Sequence, residues 1–144
     1  MAKQPVFKNT FRHFQNVQTR WMDNDVYGHV NNVVYYSYFD SVVNTYLIDK
    51  GGLDIQNGAQ IGFIVNSNCV YQQSIAFPES LVGALRVDRI GNSSVDYGVA
   101  LFKEGQEQAC AYGAMTHVFV DRETNKPSPI TGQLRDALQA IAVA

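Results

Sequence analysis

The apolar positions of the chain change period once, and that change divides the sequence. From Asn31 or Asn32 to Lys50, the residues Val34, Tyr35, Tyr38, Phe39, Val42, Val43, Tyr46 and Leu47 recur at three- and four-residue spacing, on one broad helical face. Asn31 and Asn32 are both good N-cap residues, and Gly51-Gly52 supplies the stop. The spacing predicts a helix of about 18 residues, roughly 27 Å long at 1.5 Å per residue. Beyond Gly52 the period is two. Residues 60–77, 80–91, 94–103 and 107–121 read as four long strands rich in Val, Ile, Tyr and Phe. Their joints, Phe77-Pro78-Glu79-Ser80, Gly91-Asn92-Ser93 and Lys103-Glu104-Gly105-Gln106, carry turn chemistry. Short joints between long strands make antiparallel hairpins.

The flanks complete the order. Residues 15–21 (QNVQTRW) read as a short strand, and residues 22–30 (MDNDVYGHV) as a polar turn containing a glycine. Residues 1–12 are expected to be flexible, and 129–143, after Pro127, to form a C-terminal helix. No repeat, linker or low-complexity tract interrupts the chain, so residues 1–144 read as a single domain. One long helix beside one antiparallel sheet needs cover on most sides. The expected class is therefore α+β, a central helix wrapped by a curved sheet of about five strands.

Composition adds a partner and removes others. Apolar residues make up 46% of the chain, enough for a core, but charged residues make up only 17%, below the average of about 25%. Surface buried between subunits would account for such a shortage, as would an excess of uncharged loop residues. The net charge is −2 and the eleven Lys and Arg residues are scattered singly, so no basic stripe would track nucleic acid. The N-terminus has no apolar run resembling a secretory signal, and nothing approaches a spanning helix. A cytoplasmic location without membrane partners is expected. Cys69 and Cys110 stand apart, without metal-ligand spacing, in apolar-flanked strands, and read as buried reduced thiols.

The chemistry gathers in Asp23-Asn24-Asp25-Val26-Tyr27-Gly28-His29-Val30-Asn31-Asn32. An EF-hand calcium loop would match Asp23, Asp25 and Gly28, but Tyr27 and Val34 stand where oxygen ligands belong. A phosphate-accepting Asp-x-Asp pair would need a second carboxylate set and a basic clamp, for which there is no candidate loop. A transition-metal site from Asp23, Asp25 and His29 lacks helical or strand register. Acyl transfer fits the pattern: a carboxylate at a strand end, a tight glycine turn, then a helix start whose free N–H groups would stabilise an oxyanion.

The stretch from Arg20 to Tyr36, R-W-M-D-N-D-V-Y-G-H-V-N-N-V-V-Y-Y, resembles the motif of the 4-hydroxybenzoyl-CoA thioesterase family. The likeness is strongest to its bacterial long-chain acyl-CoA thioesterase branch, D-x-D-x-x-G-H-V-N-N-x-x-Y. The element order agrees over essentially the whole chain. The resemblance implies a hotdog fold, hydrolysis of acyl-CoA thioesters without a cofactor or metal, and a homodimer or homotetramer. It makes Asp25 the catalytic carboxylate, as nucleophile or as general base, and the backbone N–H of Asn32 the donor to the thioester carbonyl. His29 would position water or shape the turn as a helper in catalysis. Asn31 and Tyr35 would bind substrate, with Tyr35 lining the acyl pocket. Relatives carry basic residues for the coenzyme A phosphates at the turn between the second and third long strands. This chain keeps only Arg89 there, with Arg86 nearby, which leaves an acyl carrier protein open as the acyl donor.

Each of these residues also has a plainer role. Asp23 reads as a structural acceptor inside the turn, Gly28 as backbone geometry, and one of the two asparagines as a helix cap. His13 and His117 have no neighbour in sequence that gives them chemistry. Two other functions use the same fold: hydration of an enoyl thioester by an Asp25–His29 pair, and binding of acyl thioesters without catalysis.

Overall fold

In the computed structural model, residues 4–143 are described. Strand β1 (His13–Gln18) leads through a 3-10 turn (Trp21–Asp23) to helix α1 (Val34–Asp49). Four strands follow, β2 (Gln60–Tyr71), β3 (Ser80–Ile90), β4 (Ser94–Lys103) and β5 (Ala111–Asp121), and then a short helix α2 (Gly132–Ala140). The sheet order is β1-β3-β4-β5-β2 and every pairing is antiparallel. The five strands curve around the single long helix, which is the expected α+β hotdog architecture.

The helical face read from the sequence is the face that is buried. Tyr35, Tyr38, Phe39, Val42, Val43, Tyr46 and Leu47 belong to one cluster with Leu81, Leu85, Tyr97, Val99, Leu101 and Phe119. Gly83 lets α1 approach β3, because a Cβ there would collide with Val42 and Val17. Cys69 and Cys110 are free thiols, and burial pushes each up to about 11.

Element ends differ where long-range hydrogen bonds compete with the alternation. Strand β2 stops at Tyr71 instead of residue 77, because the N–H groups of Gln72 and Gln73 both donate to Cys110 O. The chain then crosses toward α1, and Ile75 O accepts from Val30 N. Strand β5 begins at Ala111 instead of 107, since Glu107 to Ala109 pair with the N-terminal segment. That segment departs from the flexible reading of residues 1–12. Lys8 N donates to Glu107 O and Ala109 N to Val6 O, while Phe11 packs with Ala84, Ala100 and Phe102 on the outer face of the sheet. The Arg86 guanidinium lies 4.8 Å from the Phe11 ring centre, adding a cation–π contact. Residues 1–3 lie outside the described residues. The first strand runs over 13–18 instead of 15–21, and α2 is shorter than 129–143, following Thr131 in an extended conformation.

Edge strand β2 is covered on neither face at its middle. Phe63, Ile64 and Val65 are exposed, Val65 by 60%.

His117, on β5, is buried with Nδ1 3.0 Å from the Tyr97 hydroxyl and with Phe119 edge-on to its ring. Burial disfavours the imidazolium and lowers its pKa from 6.5 to about 4. The native state therefore prefers the neutral ring. Its contribution is complete above pH 6.5 and is lost as the pH falls toward 4, by about 3 kcal/mol in all. Urea unfolding across that window should show falling stability, with a shallower decline in His117→Gln. An unchanged slope in the variant would assign the acid sensitivity elsewhere.

Candidate active site

The turn between β1 and α1 is closed by its first carboxylate. Asp23 is 1% exposed and accepts from the Arg20 backbone N–H, from Arg20 Nε and Nη2, and from the Tyr38 hydroxyl at 2.6 Å. Burial alone would raise its pKa, but the hydrogen bonds from Arg20 and Tyr38 and the guanidinium charge hold it below the usual carboxylate range. Its backbone oxygen accepts from Asn31 N at 2.9 Å, so the residue also ties the two ends of the turn together. Asp23 is thus a structural acceptor with no side-chain oxygen to spare.

Asp25 has different surroundings. Its N–H donates to His29 O at 2.8 Å, and its O accepts from Gly28 N at 3.1 Å. Gly28 sits at φ +84°, a left-handed conformation that glycine adopts without strain. Val26 and Tyr27, at the tip, are exposed, Val26 by 94%. Asp25 Oδ1 accepts from Tyr27 N at 2.8 Å, while Oδ2 has no hydrogen-bond partner among the described residues. Two carboxylates two residues apart are therefore inequivalent: one is consumed by structure and one keeps a free oxygen.

The start of α1 is the other half of the site. Asn31 Oδ1 accepts from Val33 N at 3.2 Å and Asn31 O accepts from Val34 N, so Asn31 is the asparagine that caps. Regular helix begins at Val34, later than Asn31 or Asn32, because this capped turn comes first. The Asn32 N–H has no partner among the described residues, whereas its carbonyl accepts from the Tyr71 hydroxyl at 3.1 Å. It is one of the orphan donors that a helix start leaves over. The segment after β2 clamps this region: Asn24 Oδ1 accepts from Phe77 N at 3.0 Å, and Val30 N donates to Ile75 O. Tyr35 is buried beneath, edge-on to Tyr71 at 4.8 Å, and its hydroxyl meets the Ile75 backbone. Burial pushes Tyr35 up to about 12, so it stays a neutral phenol at physiological pH.

A cleft of about 250 Å³ opens at this helix start, lined by His29, Val30, Asn32, Tyr35, Tyr71 and the Gln72-Gln73-Ser74 segment. Three residues read from the sequence, His29, Asn32 and Tyr35, meet in it. Asp25 is not among the residues that line it, but its N–H donates to the carbonyl of His29, which is, and Asn31 caps the helix start. Arg89 is not brought here. It lies nine residues past Ser80 on β3, about 30 Å along the strand, and is held by Asp96 and Ser94. Tyr71 to Ser74 fall inside the 60–77 strand pattern, so sequence reading gives them no site role; the break in alternation at Tyr71-Gln72-Gln73-Ser74 is the available signal. Among the described residues no three His, Cys, Asp or Glu side chains gather into a group that could hold a metal ion. No described helix is long and apolar enough to cross a membrane.

Comparison with known proteins agrees with this architecture. The crystal structure of the PA5185 protein from Pseudomonas aeruginosa strain PAO1 is 54% identical, with a TM-score of 0.95 over 96% of this chain and 97% of that one. The Bacillus subtilis protein YsmA is 26% identical across 92% of this chain and 88% of its own length. The long-chain acyl-CoA thioesterase FadM of Escherichia coli is 24% identical across 85% of this chain and 94% of its own. The family model for the thioesterase-like superfamily matches residues 17–138, a span that runs from the end of β1 to α2 and includes the whole turn, and the chain belongs to that superfamily.

Proposed function

We propose that the protein hydrolyses acyl-CoA thioesters to the free acid and CoA, with Asp25 as the reacting carboxylate and the Asn32 N–H as the donor to the thioester carbonyl. The observation that carries this reading is the pairing of an uncommitted carboxylate oxygen with an unpartnered helix-start N–H seven residues on, beside an aromatic cleft. A thioester is already activated, so a carboxylate suffices without a serine–histidine relay. Either Asp25 attacks the carbonyl carbon, expelling CoA thiolate to leave an anhydride that water cleaves, or it takes a proton from the attacking water. In both routes negative charge develops on the carbonyl oxygen, where the Asn32 N–H and the positive end of α1 stabilise it. One such donor is worth about 2.7–4 kcal/mol. His29 lines the same cleft and would position water there; Tyr35 would bound the acyl group and Asn31 hold the helix start. The name of the relative FadM supports an acyl-CoA substrate. An acyl carrier protein thioester offers the same carbonyl, and Arg89, tied to Asp96, favours neither donor.

The protein is further proposed to act as a homodimer, or as a homotetramer made of two such dimers, through β2. That strand combines an open hydrogen-bonding edge with exposed Phe63, Ile64 and Val65, a combination that natural sheets cover or blunt. A second copy paired there would satisfy the edge and bury those side chains. The sparse surface charge agrees with such an interface.

Two sets of measurements test these readings. Thiol release over a panel of acyl-CoAs should fall by orders of magnitude in Asp25→Ala and Asp25→Asn, with the melting curve unchanged. Asp23→Asn should keep much of the turnover and lose about 2 kcal/mol of stability instead. Wild-type turnover in Asp25→Ala would remove the assignment, and hydration of crotonyl-CoA without thiol release would replace hydrolysis by the hydratase reading. For assembly, sedimentation should give a dimer or tetramer for the wild type and smaller species for Val65→Lys. A monomeric wild type at micromolar concentration would rule the β2 interface out.

A further inference from the structure

We propose that Tyr71 is a positioning residue for the oxyanion donor: its hydroxyl, anchored in the sheet, holds the Asn32 carbonyl so that the Asn32 N–H faces the cleft. This rests on the hydrolysis reading above and adds a residue from outside the motif. The first turn of a helix is its least restrained part, because its N–H groups lack intrahelical partners. Here the restraints on either side of Asn32 can be named. Asn31 is tied through its N–H to Asp23 O and through its side chain to Val33 N. Asn32 is tied by Tyr71 Oη to its own carbonyl at 3.1 Å. Among the described residues no other side chain from the sheet hydrogen-bonds to the backbone of residues 31–34.

Tyr71 is well placed for this task. It is the last residue of β2, paired with Ala111, and the strand ends immediately after it because Gln72 and Gln73 turn their N–H groups to Cys110 O. Its ring stands edge-on to Tyr35, 4.8 Å between centres and 79° between planes. The Cys69 thiol, on the same strand face, also hydrogen-bonds with the Tyr71 hydroxyl. The Asn32 carbonyl belongs to the peptide after the residue and its N–H to the peptide before it. Tyr71 therefore acts on the donor through geometry and not through polarisation of the same peptide group. Geometry matters because a donor must lie about 2.7–3.1 Å from the oxyanion, and a displacement of about 1 Å costs on the order of 100-fold in rate.

Tyr71→Phe isolates the hydroxyl, because the ring contact with Tyr35 is kept. The expected result is a kcat lowered about tenfold or more, a KM within about twofold of wild type, and an unchanged melting curve. A purely structural role would not give that split. The second readout uses Asp25→Ala loaded with an acyl-CoA carrying ¹³C at the thioester carbonyl. Its C=O stretch should be shifted to lower frequency by the Asn32 donor, and should move back toward the free value in Asp25→Ala/Tyr71→Phe. Tyr71→Met, which also lacks the hydroxyl, carries the same expectations if the phenylalanine variant does not fold. If Asp25→Ala is inactive while the Tyr71 variants keep kcat within about twofold and leave the stretch unmoved, the positioning role is wrong and hydrolysis stands. If the wild type releases no thiol across the acyl-CoA panel, the hydrolysis reading falls and the positioning role falls with it.

Discussion

The carboxylate of Asp23 is the knot from which the arrangement of the turn follows. It is buried, and a buried carboxylate is tolerated only when its lone pairs are filled and its charge is met. Arg20 meets the charge and Tyr38 takes a lone pair, which joins the exit of β1 to the second turn of α1. The residue's own carbonyl reaches Asn31 and brings the far end of the turn back to its start. With residues 23 and 31 held together, the seven between them must double back. The Gly28 conformation and the Asp25–His29 hydrogen bond are how they do so.

Much of the fold could be read from the chain because the helix and the strands impose different periods on one core. The Val34-to-Leu47 stripe is buried as its spacing requires, and the turns at Gly91-Asn92-Ser93 and Lys103-Glu104-Gly105-Gln106 join the strands expected of them. What was not legible lay in contacts between distant segments. Nothing in Gln72-Gln73-Ser74-Ile75 tells that its backbone serves Cys110 and Val30, and nothing near Val6 tells that it pairs with Ala109. The N-terminal segment looked free for that reason. It is held by a small outer cluster around Phe11 and Phe102, too short in sequence to produce a period.

The site divides in the same way. Asp25, Gly28, His29, Asn31 and Asn32 lie within one local motif, and the structure sets them around one helix start. Tyr71, almost forty residues on, enters only through the pairing of β2 with β5, which fixes where the strand ends. Arg89 shows the converse. Its position in the sequence invited a binding role, yet in the folded chain its guanidinium serves Asp96 and Ser94 at the other end of β3.

The division of labour between the two carboxylates now has a physical cause. Two carboxylates two residues apart would ordinarily compete for the same donors. Arg20 removes that conflict by neutralising Asp23 locally, and the buried phenol of Tyr38 takes what remains of its hydrogen-bonding capacity. Asp25 is left with a single backbone donor to its side chain and one uncommitted oxygen. An arrangement that spent both carboxylates on the turn would be more rigid and chemically inert. One that spent neither would not hold the Asn32 N–H in place. The turn resolves this by making the first carboxylate scaffold for the second.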